Sequence, residues 1–232
     1  MRALPLRVVA LVVGVLAVAT ASAAQTDDHV RFAADAEKAR GHLLVSEQLY
    51  GLGQARTAAL HAAHPVQELG NRLLGPVRRV DAARADRLRD TLKEPGKSIE
   101  LKVPPARYAE IAAGVGTALD QAVALVVGAE AGATPAFRAR VVAALIEAVA
   151  EEYDESFKNG RITQLVEYQD AYGFFRRAQT LYVALPAASR TADAELQSLS
   201  KAFPSPRDPP SPPLTFKAVK DLTSRIATSL RK

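Results

Sequence analysis

The residues in this chain best suited to chemistry are imidazoles and carboxylates grouped at short intervals. His61-Ala-Ala-His64-Pro65-Val-Gln-Glu68 sets two imidazoles three apart and a carboxylate four further on. On an unbroken helix all three share one face, because residues three and four apart are neighbours there. Imidazole nitrogen together with carboxylate oxygen suits iron, copper, zinc or nickel. The spacing is not that of a zinc peptidase, whose histidines stand four apart with a glutamate between. The alternative reading is a helix end whose orphan backbone groups are capped by polar side chains.

A second group is acidic. Glu167 heads the apolar row Ala171, Phe174, Ala178, Leu181, with Asp170 one turn on. A carboxylate facing inward must be neutralised, hydrogen-bonded or bound to a cation. Folding this helix back on the preceding one about Gly160 sets Tyr153 opposite Glu167 and the Glu151 level opposite Asp170. Glu151, Glu167 and Asp170 are therefore candidate oxygen ligands, with Tyr153 and Tyr168 beside them. The alternatives are a Glu167–tyrosine hydrogen bond and, for the row Glu147, Glu151, Glu155, a solvated acidic face. His42 borders the buried face of the first helix. On one continuous helix it stands about 28 Å from His61, too far to share an ion. If the chain folds back at Pro65, His42 comes level with Asp86, and a buried His42–Asp86 hydrogen bond is expected.

The elements that must position these groups read as helices nearly throughout. Alanine is abundant, and long stretches lack Gly and Pro, which favours helix. The first helix is expected from Asp27-Asp28 to His64, on the stripe Phe32, Ala36, Ala39, Leu43, Ser46, Tyr50, Gly53, Thr57, Leu60. Pro65 is expected to break it. Further helices are expected over about 65–93, 105–130, 136–158, 162–185, 190–201 and 215–230, with a connector, partly extended, over 97–104. Asn159-Gly160 is a helix stop. Residues 203–213 hold six prolines, a density that forbids helix and favours an extended strap. A docking motif for another protein is the alternative reading of that stretch. The fold class is thus all-α, an antiparallel helical bundle of six to seven helices with a Pro-rich strap before the last. The expected division is 25–202 for the bundle, 203–214 for the strap and 215–232 for a closing helix.

Residues 1–24 have the layout of a secretory signal: Arg2 and Arg7, an apolar run Val8–Ala19, then small residues up to Ala23-Ala24. The run is shorter than a bilayer span. The expected address is periplasmic or secreted, with no stable membrane insertion after signal removal. The net charge of +5 is mild and interspersed with acids, which speaks against nucleic acid as a partner. With no cysteine, thiolate metal sites, cysteine nucleophiles, a lipoprotein anchor and covalently attached haem are excluded. No Ser-His-Asp spacing, zinc signature or phosphate loop is visible, so no enzyme activity is expected.

The stretch from Glu152 to Phe174 resembles the soluble extracytoplasmic region that precedes the membrane helices of bacterial high-affinity iron permeases. The matching positions are Tyr153, Asp154, Gly160, Glu167, Tyr168, Asp170 and Phe174. The Pro-rich strap and closing helix fit the same layout. Gly41-His42 followed by Glu47 is similar to imelysin-type periplasmic iron-uptake proteins, though at a different spacing. The permease's iron-handling glutamates lie in membrane helices that do not follow here, so permease activity does not carry over. The resemblance implies an exported accessory module that binds iron, or copper, and works with a membrane iron permease or another envelope protein. The alternative is a metal-free protein–protein interaction module.

Overall fold

The computed structural model describes residues 7–232, with side chains from Gln25 onward, so the expected signal segment lies outside the residues described in full. Helix α1 (Arg7–Gly51) ends at a glycine turn. Gly53 has φ +74°, and the N–H groups of Gly53 and Gln54 donate to the carbonyls of Tyr50 and Leu49. Glycine takes this left-handed conformation without a Cβ penalty. Helix α2 (Ala55–Gln67) then runs back along α1, and Ser46 Oγ donates across the pair to the Ala58 carbonyl at 2.7 Å. This corrects the expected continuous helix to His64 with a break at Pro65. Pro65 lies buried inside α2, where it costs one intrahelical bond near the helix end. The reversal falls instead where two glycines allow it.

The same correction applies further on. Helix α3 (Gly70–Val80) stops at Asp81, which is extended and accepts the Arg84 N–H as the cap of α4 (Ala82–Glu100). Helix α4 carries Pro95 within it, so the expected connector shrinks to residues 101–104 and its extended part is absent. Pro104 and Pro105 then open α5 (Pro105–Val127). By length and composition α5 could cross a membrane; here it packs along α1 and α4. Gly128, at φ +89°, separates it from the short α6 (Ala129–Ala133).

Helix α7 (Pro135–Ser156) is capped by Thr134 Oγ1, which accepts the Phe137 N–H. A two-strand hairpin follows, β1 (Phe157–Lys158) and β2 (Arg161–Ile162), with Phe157 opposite Ile162. Its turn residues Asn159 and Gly160 both have positive φ, as a tight hairpin turn requires. The chain continues into α8 (Leu165–Val183), α9 (Asp193–Leu199) and α10 (Phe216–Leu230). The antiparallel pair α7–α8 is central; α1 lies on α8, α10 on α7, and α2 is held between α1 and α4. The architecture is all-α apart from the hairpin, and the ten α-helices among the described residues outnumber the expected six to seven because the Gly turns and Asp81 divide the long ones.

Two apolar clusters fill the interior. One holds Phe32, Ala36, Ala39 and Leu43 with Leu73, Leu88 and Leu119; the other holds Val45 and Leu49 with the apolar faces of α7, α8 and α10. Along α1 the change from one cluster to the other falls between Leu43 and Val45, beside His42. The Pro-rich strap is a packed element. Phe203 sits against Tyr168, Phe175 and Tyr153, with ring centroids 5.1–5.8 Å apart. Tyr153 Oη donates to the Leu214 carbonyl at 2.6 Å, and Tyr168 Oη to the carbonyls of Ala202 and Ser205.

Candidate metal centre

The reversal at Gly51–Gly53 decides the site. With α2 antiparallel to α1, His42 comes level with His61 and His64 instead of standing 28 Å away. Across the interface α8 presents Asp170. His42 Nδ1 lies 2.7 Å and His61 Nδ1 2.9 Å from Asp170 Oδ1, and His64 Nδ1 lies 3.3 Å from Oδ2. All four residues are at most 9% exposed. The expected His42–Asp86 bond does not form: Asp86 lies at the surface, paired with Arg78 and Arg89.

Two glycines let α1 and α8 approach so closely. A Cβ on Gly173 would fall 2.6 Å from the Gly41 carbonyl oxygen, and one on Gly41 would fall 2.8 Å from Phe174 Cδ1. No real side chain tolerates such distances, so backbone touches backbone one residue from His42 and three from Asp170. The Phe174 ring then meets the His42 ring edge-on at 5.0 Å.

The second group forms one turn away. Glu152, Glu167 and Asp170 bring carboxylate oxygens within 4.8 Å of one another. Glu151, the expected ligand, points outward. Its neighbour Glu152 lies three past Val149 and seven past Leu145, on the buried stripe of α7, a signal readable in the sequence. Tyr153 and Tyr168 hold the strap and do not bond Glu167. Glu68 is half-exposed, with one oxygen 3.6 Å from His42 Nε2 and the other 3.5 Å from His64 Nδ1. Gln169 was not anticipated: it is fully buried and accepts from His61 Nε2 at 2.8 Å while donating to the Pro206 carbonyl at 3.1 Å.

Electrostatics follow from this crowding. Burial raises a carboxyl, yet the three imidazoles around Asp170 hold it far below the usual carboxylate range. Burial dominates at His42 and lowers it. At His64 burial is outweighed by the hydrogen bond and charge of Asp170, with Glu68 adding, and the imidazole is raised. Burial also pushes Glu152 up to about 8, reinforced by Asp170, Glu155, Glu167 and Glu68. Glu167 is raised for the same reasons.

The donor set fits a metal cation. Because Gln169 must donate its amide N–H to Pro206, its oxygen faces His61, whose Nε2 therefore donates. Its Nδ1 then faces a carboxylate oxygen at 2.9 Å, and a proton or a metal ion between the two satisfies both atoms. His42 Nε2 is buried and has no hydrogen-bond partner. Buried polar atoms are rarely left so. The His42–Asp170 and His61–Asp170 spacings of 2.7 and 2.9 Å are hydrogen-bond lengths, while the 3.3 Å between His64 Nδ1 and Asp170 Oδ2 falls within the about 3.0–3.4 Å between neighbouring ligands of one ion at bonds of about 2.1 Å.

Residues 128–232, which contain α7 to α10, match the family model of the iron permease-associated 4-helix bundle domain. Neither a curated protein nor a solved structure matches the chain. The matched stretch supplies Glu152, Glu167 and Asp170, while the three imidazoles come from α1 and α2, outside it. Over residues 128–232, its C-terminal helices, the chain is thus similar to the iron permease-associated 4-helix bundle domain.

Proposed function

We propose that this chain is an exported, periplasmic, non-enzymatic component of an iron-uptake system that binds iron as cargo at His42, His61, His64 and Asp170. The observation that carries the reading is the convergence of three buried imidazoles on one buried carboxylate, with His42 Nε2 left without a hydrogen-bond partner. Nitrogen and carboxylate oxygen together suit iron, and copper is the competing ion. The family relation supports iron and a membrane iron permease as partner; the signal-like residues 1–24 support the periplasm.

The test is thermal unfolding of the purified chain with ferrous ion (anaerobically), ferric, cupric and zinc ions, each against a chelator control. An ion that binds only the folded state at about 100 times its Kd adds about 2.7 kcal/mol. Iron is expected to raise the midpoint and Asp170→Asn to abolish that rise with helicity retained. No rise with any ion, or an undiminished rise in Asp170→Asn, overturns the assignment.

A further inference from the structure

We propose that Asp170 bridges two cation positions, the second being formed with Glu152 and Glu167. The inference rests on the reading of the imidazole cluster as an ion site and extends it from one ion to two. Asp170 is the residue shared by the two groups whose donor atoms lie within 4.8 Å of one another, His42–His61–His64–Asp170 and Glu152–Glu167–Asp170. Three imidazoles and three carboxylates, with Glu68 beside them, exceed the four to six ligands one first-row ion takes from such donors.

Charge gives an independent argument. Asp170 and Glu68 find only histidine partners, and among the described residues neither Glu152 nor Glu167 has a hydrogen bond or ion pair. Four carboxylates thus converge with no lysine or arginine paired to them. A cation at each position would supply the positive charge that no lysine or arginine brings to this cluster. A third observation concerns a nitrogen. His42 is 1% exposed; its Nδ1 faces Asp170, while its unpartnered Nε2 opens toward Glu68. An imidazole that gives one nitrogen to a carboxylate and keeps the other free is oriented as metal-ligating histidines are. Paired ions at a bridging carboxylate stand about 3.5–4 Å apart in two-metal sites.

The experiment is anaerobic ferrous titration of the purified chain, with bound iron counted by elemental analysis after desalting, and manganous ion as an electron paramagnetic resonance probe. Two ions per chain are expected, with a spin-coupled manganese signal. Glu152→Gln/Glu167→Gln is expected to bind one ion, lose the coupling and keep its circular dichroism. His61→Ala/His64→Ala is expected to lose the other ion. If the carboxylate pair disturbs folding, Glu167→Gln alone is read the same way, with at least tenfold weaker binding of one ion. One uncoupled ion in the unsubstituted chain overturns the second position and leaves the imidazole site standing. No bound ion overturns both.

Discussion

Glu152 is the residue at which the cost of leaving this site without a cation is most visible. Its carboxyl, pushed up to about 8, keeps its proton in the fold over a range where the unfolded chain, at about 4.5, has released it. The folded state therefore binds more protons between these values, and stability falls as pH rises from about 4.5 to 8. Glu152→Gln removes that loss. The metal-free variant is expected to match the unsubstituted chain near pH 4 and to exceed it by about 2–4 kcal/mol above pH 8, at about 1.4 kcal/mol per pH unit. Urea unfolding across this range, with chelator present, checks it; equal stabilities at pH 9 would contradict the crowding of carboxylates. Glu151→Gln, one residue along on the solvent side, is expected to change nothing measurable.

Among the elements, the contact between α1 and α8 sets the distance across the site. Gly173→Ala must push the Gly41 carbonyl away by several tenths of an ångström. Overpacking of this kind costs about 1–3 kcal/mol, and it also draws His42 from Asp170. The expected result is a lower unfolding midpoint together with at least tenfold weaker iron binding. Gly114→Ala is the control: its Cβ meets nothing within 4 Å in the exposed face of α5. There the substitution is expected to stabilise by up to about 1 kcal/mol and to leave iron binding alone. Equal effects of the two would sink the close-approach argument. The strap belongs to the same scale, since Gln169 joins the Pro206 carbonyl to His61 and so ties the turn after α9 to the ligand cluster.

Over the whole molecule, buried tyrosines join parts of the chain far apart in sequence. Tyr108 on α5 reaches Ser46 on α1 at 2.6 Å, and Tyr153 on α7 reaches the strap. Burial pushes both phenols up to about 12. A raised phenol keeps its proton in the fold while the unfolded chain loses it above about 10. Stability is thus undiminished below pH 10 and falls between about 10 and 12, by about 2–3 kcal/mol for each tyrosine. Unfolding midpoints measured from pH 9 to 12 check this. A flat profile would mean that these hydroxyls are not enclosed. The imidazoles on α1 and α2 and the carboxylates on α7 and α8 meet where the two apolar clusters adjoin, so neither half of the chain holds the site alone.

Helical class, the α7–α8 pair about Asn159-Gly160, the strap and the chemically competent residues were legible in sequence because each rests on local preferences: alanine content, apolar periodicity, Gly and Pro punctuation. Even the reversal at Gly51-Leu52-Gly53 had a local signal, the paired glycines, but Pro65 competed with it and offered the stronger break. What sequence could not decide was which partners meet. Asp170 and Asp86 are equally plausible companions for His42 by composition, and Glu151 and Glu152 differ by one step of about 100° around a helix. Those choices depend on how closely α1 and α8 pack at Gly41 and Gly173 and on which way α2 turns. The first is a backbone contact between segments more than a hundred residues apart and the second depends on how α2 packs between α1 and α4, so only the tertiary structure fixes them.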